Sequence, residues 1–425
     1  IEFCHVNHSI PASLTLGIHT PAGLVVYTGD YKFDQTPLYH PQTDYQKLSQ
    51  WNQEGVLALL GDSTNAERKG HTISERIIAQ NLTKSFKVIQ QRIIVATFSS
   101  NIIRIQHIIN AAQKTERKLA LAGRSMLKTI EIANKLDYLE IPEDLLITLD
   151  KAKKLDPEKV ILLMTGSQGE YNAALTRMSR GEHRDIKIRP GDTVFLSASP
   201  IPGNEKAIGN TINNLYSLGA EVVYNKMLDI HASGHARQEE IKMMINLIQP
   251  DYLIPVHGEF RHLYHHAQIG KNMGIPVENI FITENGTKLE IKKNNVEIKE
   301  ESVPAKDNFI ERNQITEAGH KVLNDRKKMA QNGFLNIIIV TNKKGEIIQD
   351  PKLISRGFIS NKSSSDLLKK AKYRIKRALN KYKKNKKKHS SQIKKDLLDK
   401  IKNYFYRETG RVPLIEIETM KINEK

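Results

Sequence analysis

Residues 23–30, which read GLVVYTGD, combine a short apolar run with a turn that ends in a carboxylate, Asp30. Runs of four to eight aliphatic residues bounded by glycine predict strands. The stretches 56–62, VLALLGD, and 252–257, YLIPVH, repeat the arrangement with Asp62 and His257 at their ends. Because ligands and catalytic groups of α/β folds collect at the carboxyl ends of strands, these endings are candidates for a functional site.

Similar apolar runs alternate with helical stretches along most of the chain, which indicates an α/β fold. The helical pattern is clear from 237 to 249, where Ile241, Met244, Ile245 and Ile248 share one face. The predicted strands cover residues 23–27, 56–60, 92–96, 160–164, 193–196, 221–224 and 252–256.

The C-terminal quarter of the chain shows a different pattern. Residues 294–313 are polar and charged, and we interpret them as a linker. A strand at 335–341, two amphipathic helices and a strand near 414–417 follow, and this β-α-α-β order predicts a small α+β domain whose apolar helix faces favour self-association. The lysine-dense stretch 381–388 between the helices is typical of a solvated loop, although it could add salt-sensitive affinity for nucleic acid.

The composition is strongly basic, with 65 Lys and Arg against 47 Asp and Glu and a net charge of +18. A surplus of this size favours a polyanionic partner such as nucleic acid. A lysine-rich composition inherited from an AT-rich genome would give the same charge, and charge alone does not separate the two explanations.

The single cysteine, Cys4, excludes a disulfide within the chain and fits a reducing compartment. No apolar run reaches the roughly 18 residues of a membrane-spanning helix. The chain opens with Ile1-Glu2-Phe3, without a methionine, and we interpret it as an N-terminally truncated sequence.

Three strand ends offer metal ligands: His8 in NHSIP, Asp30 and His257. Imidazole and carboxylate are the usual ligands of hydrolytic zinc, and a carboxylate can bridge two ions. Taken singly, each residue has a plainer explanation, because a lone histidine is more often a hydrogen-bonded structural residue and an aspartate after Thr-Gly is often a turn former.

A second constellation is HASGHA at 231–236, directly before a predicted helix. Two histidines four apart, His231 and His235, with Ser233 and Gly234 between them, suit an anion site at a helix N-terminus. His235 could protonate a leaving oxygen. Alternatively, Ser233 only caps the helix.

Three further strand ends, TFSSN at 97–101, TGSQGE at 165–170 and SASPIPGNE at 197–205, have the small residues of phosphate-binding loops. They place Ser100, Ser167 and Ser199 among the candidate phosphate ligands, and Phe98 could stack on a base. Each loop alone could be an ordinary tight turn.

In order, the chain reads NHSIP, TGDYKFD, GDSTNAE, TFSSN, GRSM, TGSQGE, SASPIPGNE, HASGHA and PVHGE, and later VLNDRKKMAQNG and LISRGF. This series resembles the β-CASP branch of the metallo-β-lactamase superfamily, and within it the ribonuclease J family. The resemblance covers nearly the whole chain and is far more specific than any one motif.

The resemblance implies roles for individual residues. His8, Asp30 and His257 match zinc ligands, with Asp30 bridging two Zn²⁺ ions per full-length chain. His235 matches a proton donor, and Asp62 the acid that orients it. The remaining matches contact RNA phosphates, and they are His231, Ser233, Gly234, Ser100, Arg124 of GRSM, Ser167 and Ser199.

The implied fold is a metallo-β-lactamase αββα sandwich, incomplete at its N-terminus, with an inserted β-CASP α/β domain and a small α+β C-terminal domain. We expect the first sandwich part at 1–72, the β-CASP domain at 73–229, the second sandwich part at 230–294, a linker at 295–316 and the C-terminal domain at 317–425. The family's His-x-His-x-Asp-His motif is absent from this sequence, so we expect these residues alone to be inactive.

The implied activity is that of a bacterial cytoplasmic ribonuclease, a 5′→3′ exonuclease and endonuclease acting in mRNA decay and rRNA processing. The implied partners are RNA and copies of the chain in a homodimer or homotetramer, or else a paralogue or an RNA-degrading complex. Two other classes stay open. One is a weakly active paralogue, and the missing His-x-His-x-Asp-His motif would decide whether the protein is of this class. The other is a hydrolase of small esters or thioesters, which the long insertion and the basic C-terminal module disfavour.

Overall fold

A computed structural model describes residues 1–201, 203–224, 227–293, 295–305, 310–311, 314–315, 319–342, 347–359, 364–384 and 390–422. The chain divides into two compact units, Ile1–Pro304 and Ala305–Lys425. The α/β fold that the sequence predicts is confirmed, since helices alternate with strands in two sheets that contain parallel pairs.

The first unit contains two main sheets and a hairpin. Its strands are β1 (Glu2–His5), β2 (Leu14–Thr20), β3 (Gly23–Tyr27), β4 (Val56–Asp62), β5 (Ile93–Ala96), β6 (Lys118–Ala122), β7 (Leu146–Ile147), β8 (Val160–Met164), β9 (Thr193–Leu196), β10 (Glu221–Tyr224), β11 (Tyr252–Val256), β12 (Thr287–Lys292) and β13 (Asn295–Ser302). Its helices are α1 (Tyr45–Glu54), α2 (Glu75–Val88), α3 (Ile102–Lys114), α4 (Arg124–Lys135), α5 (Leu149–Ala152), α6 (Ala174–Ser179), α7 (Glu205–Ser217), α8 (Gln238–Ile248) and α9 (Phe260–Asn272).

The first sheet has the strand order β1-β2-β3-β4-β11. Strands β1 to β3 form an antiparallel meander, and β3, β4 and β11 run parallel. Helices α1 and α8 supply Leu48, Trp51, Ile241 and Ile248 to its core. Trp51 can pack directly on β2 because Gly17 has no side chain, and a Cβ there would lie 2.6 Å from the indole ring.

The second sheet is parallel throughout, with the order β10-β9-β5-β8-β6-β7. Every residue of β5 and β8 is buried, since apolar cores cover both faces of the sheet. All of its strands lie between β4 and β11 in sequence. The chain therefore leaves the first sheet after β4, builds the second, and returns beside β4.

The seven strands predicted from the sequence are all present, but part of the predicted linker is not a linker. Residues 295–302 form β13, which pairs with β12. The polar composition concealed this strand because its backbone pairs with β12 while most of its side chains are exposed, and some form charge pairs, as between Lys299 Nζ and Glu290 Oε2 at 2.6 Å. Only Val296 of β13 is buried.

The second unit contains β14 (Ile310–Glu311), β15 (Gln314–Ile315), α10 (Gly319–Asn332), β16 (Phe334–Thr341), β17 (Lys352–Arg356), α11 (Ser364–Lys384), α12 (Ser390–Thr409) and β18 (Leu414–Lys421). A sheet of order β17-β16-β18 packs against α11 and α12. The expected β-α-α-β order was wrong, because β17 precedes the two helices. That strand has mixed polar and apolar residues and pairs along one side only, so the sequence gives it a weak signal. Residues 385–388 of the lysine stretch lie outside the described residues.

Within the described ranges, no helix combines the length and the apolar character needed to cross a bilayer.

Gly333 allows a close backbone contact in the second unit. Gly333 and Gly410 both follow a helix with a positive φ, of 75° and 66°, and both amides donate to the carbonyl four residues earlier. A Cβ at Gly410 would meet nothing within 4 Å, whereas one at Gly333 would overlap the backbone of Gly357 and Phe358. We expect Gly333→Ala to lower the free energy of unfolding by roughly 1–3 kcal/mol more than Gly410→Ala, since only the first adds steric overlap to the strain of the positive φ. Urea denaturation of the two variants measures this difference, and equal losses would contradict the close contact.

Candidate active site

The carboxyl ends of four strands of the first sheet meet at one edge. His8 follows β1, Asp30 follows β3, Asp62 ends β4 and His257 follows β11. In the parallel ladder between β4 and β11, Val256 is the register partner of Asp62. Asp62 and His257 are therefore neighbours in space although 195 positions separate them.

Asp30 lies between two histidines. Its Oδ2 is 3.7 Å from Nε2 of His8, and its Oδ1 is 3.4 Å from Nε2 of His257. The Nδ1 atom of His8 lies 2.7 Å from the carbonyl oxygen of Gly234, to which it can donate. That bond leaves Nε2 of His8 as the nitrogen facing the carboxylate, and burial lowers the pKa of His8 and favours the neutral ring.

These residues fit zinc as donors. Bonds of about 2.0–2.1 Å in a tetrahedral sphere separate ligand atoms by roughly 3.3 Å, close to the separations found here. Each oxygen of Asp30 faces a different imidazole, which suits a carboxylate shared by two ions. A metal-binding histidine normally donates its other nitrogen to a carbonyl or carboxylate, as His8 does to Gly234.

His235 lies beside this group and is held by Asp62. Its Nδ1 donates to Oδ2 of Asp62 over 2.8 Å, and its ring is stacked on His257 with 5.4 Å between centroids. Burial lowers the pKa of His235, but the hydrogen bond and the charge of Asp62 outweigh it, so the pKa is raised. Burial similarly opposes ionisation of Asp62, yet its bond to His235 keeps the pKa of Asp62 lowered. A ring nitrogen of His235 also lies within 4.8 Å of possible metal-ligand atoms of His8 and Asp30. The same holds for a second group, formed with Asp62 and His257.

The loop before α8 packs tightly on the site. A Cβ at Gly234 would lie 2.5 Å from the ring of His8, so only glycine fits there. The Oγ atom of Ser233 accepts from Nδ2 of Asn65 at 2.8 Å and from the amide of His235 at 3.2 Å. His231 is half-buried, its buried Nδ1 atom has no hydrogen-bond partner, and burial lowers its pKa to about 3.

Two cavities hold most of the predicted phosphate ligands. One of about 370 Å³ joins the loop before α8 to the loops that follow β5 and β9, and its lining includes Ser100, Ser199, His231, Ser233, Gly234 and His235. A second, of about 470 Å³, lies at the ends of β5, β6 and β8 and contains Arg124. Phe98 lines both. Ser167 is only 3 % exposed and lines neither.

Sequence reasoning missed several residues that shape the cavity. Asn65 bridges Ser233 and the carbonyl of His235, and its place three residues after Asp62 in GDSTNAE could have indicated it. Arg68 adds positive charge to the cavity lining, whereas Arg261 also lines the cavity but forms ion pairs with Glu67 and Glu259. The signal for these two was weak, because single arginines in loops and exposed helices are common.

Comparison with known proteins finds three family models that match this chain. The family models that match are "Ribonuclease J, beta-CASP domain" at residues 90–215, "Zn-dependent metallo-hydrolase RNA specificity domain" at 220–280 and "Ribonuclease J C-terminal domain" at 321–422.

Three relatives illustrate the similarity. Ribonuclease J 1 of Streptococcus pyogenes is 39% identical over 98% of this chain and 74% of its own length. Ribonuclease J2 of Bacillus subtilis is 37% identical over 98% of this chain and 75% of its own length. Ribonuclease J of Synechocystis is 42% identical over 84% of this chain and 56% of its own length. Because it is 39% identical to one ribonuclease J over 98% of its length, and because β-CASP, metallo-hydrolase and C-terminal domain models match along it, the chain belongs to the ribonuclease J family.

Proposed function

We propose that this chain carries the catalytic and RNA-binding groups of a zinc-dependent ribonuclease with 5′→3′ exonuclease and endonuclease activity in mRNA decay and rRNA processing. The observation that supports this most strongly is the carboxylate of Asp30 between His8 and His257, beside the pair formed by His235 and Asp62. The membership in the ribonuclease J family supports RNA as the substrate.

His8, Asp30 and His257 would hold the metal, with Asp30 shared between two Zn²⁺ ions. Zinc would supply a Lewis acid that activates water and offsets charge on the phosphate under attack. The family's His-x-His-x-Asp-His motif does not occur in these 425 residues. We therefore propose that two zincs are held only in protein that also carries this motif, and the experiments below use such protein.

The chain's own groups would position and protonate the RNA. His235 would donate a proton to the leaving oxygen, since its bond to Asp62 fixes the ring and favours the protonated form. Asp62 would act as the positioning residue for that imidazole.

The 370 Å³ cavity would hold the RNA next to His235. Ser100, Ser199 and Ser233 offer hydroxyl groups to phosphate, Phe98 offers a ring for stacking, and Arg68 offers charge. Arg124 would contact the strand in the neighbouring cavity. We do not assign a phosphate contact to Ser167, because its side chain is buried outside both.

Self-association through the second unit stays a prediction. Ala371, Ile375, Leu397 and Ile401 of α11 and α12 are fully buried in the unit's own core and are not free to pair with a second copy. An interface would have to use the apolar side chains that remain exposed, which include Tyr373, Tyr406 and Met420.

Replacing His257 tests the metal assignment. We expect His257→Ala to lose bound zinc and to lower the hydrolysis rate by roughly 10²-fold or more. Loss of a residue that only hydrogen-bonds to a metal ligand already lowers metal affinity or activity by about 10- to 100-fold. Zinc per chain and single-turnover RNA cleavage are the measurements. His19→Ala is the matched control, because His19 is half-exposed and contacts Glu2 and Glu54 rather than the site. Full zinc content and unchanged turnover in His257→Ala would remove this residue from the metal site.

Replacing His235 tests the proton donor. We expect His235→Ala to slow cleavage by about 10²- to 10⁴-fold with zinc content unchanged. With a substrate in which sulfur replaces the leaving oxygen, the same variant should be close to wild type, because a thiolate leaves without a proton. Asp62→Asn should show a smaller defect with the same dependence on the leaving group. Loss of zinc in His235→Ala, or an equal defect on both substrates, would contradict the proposed role.

A further inference from the structure

A cavity of about 340 Å³ lies between α2 and α3, and none of its lining residues belongs to the cavities of the active site. Its lining carries the cations Arg76, Lys84, Lys87 and Lys114 and no carboxylate. All four are exposed, and none forms an ion pair with another described residue. Unpaired cations around a concave surface favour an anionic ligand.

A buried imidazole at this cavity has one ring nitrogen without a hydrogen-bond partner. His107 lines the cavity, is 1% exposed, and its Nδ1 makes no hydrogen bond. Its Nε2 lies 3.2 Å from Oε2 of Glu75. Burial opposes ionisation of Glu75, but the charges of Arg104 and Lys32 hold its pKa well below the usual range.

The state of Glu75 determines what His107 can bind. A carboxylate only accepts hydrogen bonds, so Nε2 of His107 must be the donor. Burial lowers the pKa of His107 and favours the neutral ring. The unpartnered Nδ1 is then an acceptor, which suits a hydroxyl group rather than a phosphate oxygen. The atom is itself buried, so a ligand hydroxyl group reaches it only when a neighbouring side chain moves.

An aromatic ring completes the cavity. Tyr39 lines it, is 49% exposed, and its centroid is 5.5 Å from that of His107. Its hydroxyl group accepts from Nδ2 of Asn110 at 2.7 Å, which fixes the ring. Burial raises the pKa of Tyr39, and the charge of nearby Glu140 raises it further, although Glu140 does not line the cavity. An exposed, fixed ring beside cations suits base stacking.

We propose that this cavity binds a phosphorylated ribose, with a sugar hydroxyl donated to His107, the phosphate among the four cations, and the base on Tyr39. The same chemistry is offered by a free ribonucleotide and by one nucleotide of an RNA strand. The strand version rests on the proposed ribonuclease function, whereas the free-nucleotide version does not.

The test is a binding titration in metal-free buffer, where no hydrolysis occurs. The probes are a fluorescent pentauridylate, its 2′-deoxy counterpart, and unlabelled UMP as competitor. The test variant is Lys84→Glu with Lys87→Glu. The control is Lys151→Glu with Lys154→Glu, which changes the net charge equally at exposed positions of the same unit outside this cavity.

We expect the Lys84→Glu and Lys87→Glu double variant to weaken pentauridylate binding about tenfold or more, since each substitution replaces an attraction to phosphate by a repulsion. The control pair should change it less than about twofold. The wild type should bind the deoxy probe roughly fivefold more weakly, the equivalent of one lost hydrogen bond. If UMP competes for binding in the wild type but not in the Lys84 and Lys87 variant, the ligand is a free nucleotide. If the defect of this variant is confined to the pentamer, the ligand is a strand.

Equal weakening by both lysine pairs would overturn the proposed site, because it would show diffuse attraction only. Unchanged binding in the Lys84 and Lys87 variant would also overturn it, by placing all binding elsewhere. Equal affinity of the wild type for the ribose and deoxyribose probes would overturn the role of His107. None of these results bears on hydrolysis, which the His257 variant tests separately.

Discussion

The buried carboxylate of Glu75 connects the two sheets of the first unit. It is 2% exposed and contacts Nζ of Lys32 at 3.3 Å, Nη2 of Arg104 at 2.9 Å and Nε2 of His107 at 3.2 Å. An ion removed from water loses several kcal/mol of solvation, which only close partners can offset. Each of these groups therefore stays buried only while the others are in place, and the elements that carry them must keep their relative positions.

This constraint reaches the active site from both sides. Lys32 lies two residues after Asp30, and Arg104 donates from Nη1 to the carbonyl oxygen of Ile230 over 2.5 Å, directly before His231. Glu240 has a similar effect nearby, since its carboxylate accepts from the amides of Phe33 and Thr72. The loops that carry the metal-binding and phosphate-binding candidates are thus held by carboxylates that do not line the 370 Å³ cavity themselves.

The sequence predicted features whose pattern lies within a single strand or helix, and it missed features that depend on contacts between elements. Strand ends with Asp30, Asp62 and His257 were visible because parallel strands bring their carboxyl ends together. The Glu75 cluster was not visible, because Lys32 and Glu75 come from separate elements, and only Arg104 and His107, three positions apart on α3, share a helical spacing. Ser167 was predicted to face a phosphate, but Gln168 binds the carbonyl of Ser199 and the amide of Ile201 and ties the loop to its neighbour. The strand β13 was missed because its stability depends on pairing rather than on apolar content.

The return of the chain to β11 beside β4 sets the order of events during synthesis. Until residue 256 has been made, one side of β4 has no partner, and its residues 56–60 form an apolar run. At about 5–20 residues per second, the ribosome needs roughly 10–40 s to make the intervening segment. During that time the nascent chain exposes an unpaired apolar strand, the kind of surface that recruits other chains. His257 arrives last, so the site is assembled only after the inserted sheet has left the ribosome.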